Sequence, residues 1–196
     1  MFPEINPIIP IRRSDIFDSS DWFDEVKYDG FRALVYVDDG HCRFVSRKGN
    51  EAVEQLSSAI GKVLKVKSAV LDGEIVALDE SGMPAFYHLM RRKCHAVYYA
   101  FDLLWLDGKD LRELPLFERK KILRSVLPQK SSCIGYVNFI GHTRATRLFE
   151  LVKANDLEGL VVKRKDGKYT SAVRWFKVLN PTYSQKAGRQ EFFERN

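Results

Sequence analysis

FRALVYVDDGHCRFVS, residues 31–46, is the stretch that decides the fold. Two runs rich in β-branched and aromatic residues flank Asp38-Asp39-Gly40. An acidic residue followed by glycine tolerates the positive φ of a tight turn, so the pattern predicts a β-hairpin. Upstream, Trp22 to Tyr28 has strand composition. Downstream, Glu51 to about Val66 places Val53, Leu56, Ile60, Val63 and Leu64 near helical spacing. Ser68 to Leu78 then returns to strand composition, tightened at Asp72-Gly73.

The same alternation continues to the end of the chain. Pro84 opens a short helix through Met90, and AVYYAFDLLWL (96–106) is a dense apolar strand closed by Asp107-Gly108. Pro115 opens an amphipathic helix with Leu116, Ile122, Leu123, Val126 and Leu127 toward one face. Glu118, Arg119, Lys120, Lys121 and Arg124 are expected to be mostly solvated. CIGYVNFI (133–140) and GLVVKRK (159–165) read as strands around a helix from Thr143, as its cap, to Asn155. Hairpins mixed with irregularly spaced helices predict an α+β fold of mainly antiparallel sheets flanked by helices, not a doubly wound sheet. The chain divides into a proline-rich extended arm (1–20), a folded domain (21–180) and a polar, turn-rich tail (181–196).

Composition narrows the function. With 196 residues and 45% apolar content the chain can bury a real core. A net charge of +6 and a pI near 9.2 suit a polyanionic partner, since lysine and arginine gain affinity for phosphates through counterion release. No apolar run approaches the roughly 20 residues of a spanning helix. The start, MFPEINPIIP, lacks a basic segment followed by a long apolar one. The expectation is a soluble, cytoplasmic protein with no membrane partner. Cys42, Cys94 and Cys133 are widely spaced and outside any CxxC pair, and His41, His88, His95 and His142 lack metal spacing. There is no GxxxxGK[ST] loop, so any phosphate handling falls to side chains.

Chemistry-bearing residues recur in order along the domain. Lys27-Tyr28-Asp29-Gly30-Phe31-Arg32 follows the first strand, and Ser46-Arg47-Lys48-Gly49 ends the hairpin. Asp72-Gly73-Glu74 and Phe101-Asp102 lie in strands, Glu158-Gly159-Leu160-Val161-Val162-Lys163 opens another, and Trp175-Phe176-Lys177 closes the folded region. Alone, a lysine before an acidic-glycine turn is a hairpin feature. Together these segments resemble the motif series of ATP-dependent DNA ligases, within the covalent nucleotidyltransferase superfamily, over roughly residues 20–180. FDLLWLDGKDLRELPLFERKKIL (101–123) is the most ligase-like stretch, and the series is similar to that of bacterial and archaeal end-joining-type ligases.

The resemblance implies an ATP-grasp-like DNA ligase adenylation domain: two mainly antiparallel sheets flanked by helices, with the ATP site between them. Lys27 would attack the α-phosphate of ATP, forming a covalent lysine-AMP that passes to a DNA 5′-phosphate before the nick is sealed. An unperturbed lysine titrates near 10.4, so a free amine at neutral pH costs about 4 kcal/mol, a cost that neighbouring cations and desolvation offset. By the same resemblance Asp29 and Glu158 would hold Mg2+ or Mn2+, and Glu74 would accept hydrogen bonds from the ribose. Arg32 and Arg47 would contact the phosphate or ribose side, Phe101 would stack on adenine, and Lys163 and Lys177 would reach the α-phosphate. Nicked or broken duplex DNA is the implied partner.

Two departures from the family pattern stand out. The family usually has a second lysine two residues after the position of Lys177, where this chain has Leu179. The sequence also stops where ligases continue into an oligonucleotide-binding domain, so a separately encoded domain or repair partner is expected to complete ligation. Two other readings share the residues: a catalytically impaired module that binds ATP or nucleic acid, and an RNA ligase.

Overall fold

In the computed structural model, which describes residues 2–46, 53–90, 95–141 and 144–186, the hairpin turn is made by Asp39 and Gly40 with φ of 45° and 81°. Positive φ at both central residues is the turn whose twist matches paired strands. Asp107 and Gly108 repeat it, with φ of 45° and 85°. The chain runs through β1 (Ile11–Arg13), β2 (Trp22–Lys27), β3 (Phe31–Asp38), β4 (His41–Ser46), α1 (Val53–Val63), β5 (Ser68–Ala77) and α2 (Phe86–Met90). It continues through β6 (Ala96–Leu106), β7 (Lys109–Asp110), α3 (Leu116–Val126), β8 (Ile134–Tyr136), β9 (Phe139–Gly141), α4 (Ala145–Ala154), β10 (Gly159–Arg164) and β11 (Phe176–Leu179).

Two mainly antiparallel sheets result, as the α+β expectation required. One has the order β1-β11-β10-β2-β9, the other β4-β3-β5-β6-β7, with β8 added in parallel to β6. The outer face of the second sheet carries the largest core, in which Val35, Val37, Leu71 and Leu103 meet Leu56 and Ile60 of α1 and Leu123 of α3. Val35, Val37, Leu71, Leu103, Ile60 and Leu123 are each fully buried, worth roughly 1.5–3 kcal/mol apiece. Leu148 and Val152 of α4 cover Leu160 and Val26 on the outer face of the first sheet. Between the sheets, Leu34, Val70 and Leu104 face Tyr169 and Trp175, and Ile5 and Ile8 of the N-terminal arm fill the same layer.

Three sequence expectations change. The run CIGYVNFI is not one strand: its first part, β8, joins the second sheet and its last part, β9, pairs with β2 in the first. A continuous apolar run reports burial but not which sheet buries it. The arm is not merely extended, since Ile11–Arg13 pairs in parallel with β11. Arg119 and Lys120, expected from the helical pattern to be mostly solvated, are 0% and 1% exposed. Their long side chains run inward to Asp102 and Glu25, and a buried charge is tolerated when it is paired and hydrogen-bonded. Thr143, the expected cap of α4, lies outside the described residues; there the Asp18 carboxylate accepts the Thr146 backbone N–H at 3.3 Å.

Candidate active site

Strand alternation arms the space between the sheets. Side chains two apart on one strand, and those directly paired across strands, share a face. Glu25 and Lys27 on β2 therefore face the same way as Val161 and Lys163 on β10, and Lys177 on β11 pairs with Val161. Lys27 lies opposite Gly159, which in turn lies opposite Leu179. Gly159 leaves a gap in the middle of that row, and a Cβ there would meet the Val178 carbonyl oxygen at 2.2 Å. Leu179, the position of the family's second lysine, thus stands in the same row as Lys27.

Lys27 ends β2 with its Nζ 2.5 Å from Glu158 Oε2. Asp29, two residues on, is buried and accepts a hydrogen bond from the Tyr183 hydroxyl at 3.0 Å. Burial, and then the Asp29 charge, push the Tyr183 hydroxyl well above the usual tyrosine range. Tyr183 belongs to the tail, which turns back on Asn180: the Asn180 amide donates to the Leu157 carbonyl at 3.0 Å, and the Ser184 N–H donates to Asp156 at 2.9 Å. Gly30 packs so tightly on β5 that a Cβ would lie 2.1 Å from the Ile75 carbonyl oxygen. Tyr28 stacks on Tyr99 with centroids 4.7 Å apart, and burial pushes the Tyr28 hydroxyl up to about 12.

The second sheet supplies the opposite wall. Arg32, Glu74 and Tyr99 form one cross-strand row on β3, β5 and β6. Arg32 donates Nε to Asp72 Oδ1 at 3.0 Å and Nη2 to Asp72 Oδ2 at 2.6 Å, while Nη1 donates to the Ile8 carbonyl at 2.5 Å. Asp72 is fully buried and also accepts from the Tyr169 hydroxyl at 2.6 Å. Although desolvation opposes it, Asp72 drives the Arg32 guanidinium above its ordinary value. Phe101 is half-buried, edge-on to Trp175 with centroids 5.9 Å apart.

Lys163 takes a different place from the other lysines. It is 1% exposed, its Nζ donates to Glu25 Oε2 at 2.6 Å, and it lies 4.2 Å from the Phe101 centroid and 4.1 Å from that of Trp175. Desolvation holds its ammonium below the ordinary lysine range, with Lys120 pushing the same way and Glu25 opposing. Of the predicted residues, Arg32, Phe101 and Lys163 meet Trp175 between the sheets, Lys27 and Lys177 share the face of the first sheet that carries Glu25, Glu158 pairs with Lys27, Asp29 with Tyr183, and Glu74 lies in the Arg32 row, while Arg47 lies outside the described residues. Glu25, Lys120, Tyr169 and Tyr183 join them unannounced. Only Glu25 had a signal in the sequence, its period-2 spacing from Lys27 on one strand.

Known proteins resemble this chain in sequence and fold. The profile of the ATP dependent DNA ligase domain matches residues 13–178. The multifunctional non-homologous end joining protein LigD of Mycolicibacterium smegmatis is 33% identical over 168 residues, 82% of this chain and 22% of that protein. A DNA ligase of Natronomonas pharaonis is 34% identical over 171 residues, 78% of this chain and 31% of that protein. The chain therefore spans a third or less of these relatives. Among solved structures, mycobacterial DNA ligase D complexed with ATP and MES superposes with a TM-score of 0.76 at 29% identity, covering 89% of this chain and 60% of that one. A motif order that begins at Lys27, a two-sheet fold that gathers it and a profile spanning most of the chain converge, and the chain belongs to the ATP-dependent DNA ligase family.

Proposed function

We propose that this domain adenylylates Lys27 with ATP and passes the AMP to the 5′-phosphate of nicked or broken duplex DNA. The observation that carries the reading is the Lys27 side chain at the end of β2, 2.5 Å from Glu158 and one residue before Tyr28, which stacks on Tyr99 of the Arg32–Glu74–Tyr99 row. Glu158 holds Lys27 in an ion pair, so attack begins when that contact is exchanged and the lysine gives up a proton. The Nζ–P bond then forms as the α-phosphate releases pyrophosphate, leaving a phosphoramide. Phe101 stacks on adenine, Glu74 receives the ribose hydroxyls, and Arg32, Arg47 and Lys177 bring positive charge to the sugar-phosphate side.

Glu158 on Lys27, and Asp29 two residues along the chain, both act on the Tyr183 hydroxyl, and their hard carboxylate oxygens are a donor set that fits Mg2+ or Mn2+ completed by phosphate and water. Bound there, the cation supplies charge that stabilises the α-phosphate as its oxygens become more negative. The likeness to the end-joining LigD proteins supports a role in DNA repair.

Incubation with α-labelled ATP and Mg2+ is expected to give an acid-labile protein-AMP adduct that Lys27→Ala abolishes and a chelator prevents. A folded protein that forms no adduct, or an adduct that survives Lys27→Ala, rejects this function.

A further inference from the structure

Glu25 carries two buried lysines, one on each carboxylate oxygen, and both end on Phe101. Lys120 of α3 donates to Oε1 at 2.6 Å and Lys163 of β10 to Oε2 at 2.6 Å. Lys120 also reaches the Val137 carbonyl at 2.9 Å and the Phe101 carbonyl at 3.4 Å, holding the backbone of β6. Lys163 lies 4.2 Å from the centroid of the Phe101 ring, and Arg32 adds a second cation 5.4 Å from it. A cation at such distances is attracted to the ring's electron-rich face, more strongly where water is excluded. Next door, Arg119 grips Asp102 through Nε and Nη2 at 2.8 and 2.9 Å, pinning the following residue of the same strand.

From this geometry we propose that Lys163 is a positioning residue for the base: with Glu25 and Lys120 it fixes the Phe101 ring and does not contact phosphate. The proposal rests on the adenylylation reading, in which Phe101 is the adenine platform. A phosphate brought to the Lys163 ammonium would lie against the Glu25 carboxylate, 2.6 Å away, and like charges repel strongly in so dry a place. At 1% exposure Lys163 also has almost no surface to offer a ligand in the cleft. Glu25 and Lys27 lie two residues apart on one face of β2, so the group that sets the base platform is built on the strand that presents the nucleophile.

Lys163→Met tests the role, because Glu25 retains Lys120 as its counter-charge and methionine preserves much of the buried volume. Dissociation constants are measured for adenosine and for the α,β-methylene analogue of ATP, which Lys27 cannot cleave. The expected result is the same loss, about tenfold, for both ligands. Loss confined to the analogue would mean a phosphate contact and would overturn the proposal, as would unchanged binding of both. Should Lys163→Met fail to fold by far-UV circular dichroism, Lys120→Met provides the same comparison: equal losses support the clamp, and unequal or absent losses overturn it. A wild-type chain that binds neither ligand and forms no Lys27 adduct fails the adenylylation reading instead.

Discussion

Asp24 shows how far one buried carboxyl can be displaced on this scaffold. It shares the face of Val26 on β2, under α4, and its Oδ1 has no hydrogen-bond partner among the described residues. Burial, then the nearby Asp18 charge, push its pKa up to about 6, with Lys165 pulling the other way. A carboxyl raised above its unfolded value binds more protons in the folded state. Its contribution to stability is therefore complete below about pH 4 and is lost as the pH rises through about 6. Asp24→Asn is expected to be more stable than the wild type at pH 7 by about 1–2 kcal/mol after allowing for screening, with the advantage vanishing near pH 4. Urea titrations of both proteins at several pH values measure it, and a pH-independent difference would refute this role. Asp72, by contrast, is fully buried with three donors on its carboxylate, two from Arg32 and one from Tyr169.

At the scale of elements, α3 fastens the two sheets to each other. Its apolar residue Leu123 packs on the second sheet, while Lys120 crosses to Glu25 in the first and Arg119 closes on Asp102. Both members of the Arg119–Asp102 pair are fully buried, so removing one partner leaves a charge without compensation. Arg119→Met is expected to destabilise the fold by about 3–5 kcal/mol, whereas replacing both partners with apolar residues of similar volume should cost far less. Thermal and denaturant unfolding of the single and double variants tests this, and equal losses in the two would reject the buried-pair account. The apolar spacing of residues 116–127 was sufficient to place α3. It could not indicate that Arg119 and Lys120 point inward, because long cationic side chains follow whatever carboxylates lie within reach, and those sit on other elements, 17 and 95 residues away.

For the whole molecule, the cross-links decide cooperativity. Glu25 ties β2 to α3, Ile8 of the arm accepts from Arg32, and in the tail the Gln185 side chain accepts the Phe86 backbone N–H at 2.8 Å while Tyr183 holds Asp29. Tryptophan emission, with Trp175 between the sheets and Trp105 on β6, is expected to report the same unfolding midpoint as far-UV circular dichroism. Two separated transitions would show that the sheets melt independently. The turn at Asp39-Gly40, the strands around Lys27 and Phe101, the α+β class and the ordered series from Lys27 to Lys177 were determined by the sequence alone, because they depend on neighbours two to four residues apart and on short motifs. Only the tertiary structure decided that residues 134–141 divide between the sheets, that Tyr183 in the polar tail seals Asp29, and that Glu25, Lys120 and Lys163 meet behind Phe101. Glu25 and Lys163 are 138 positions apart. No local period encodes such a meeting; strand register and the exclusion of water between the sheets bring it about.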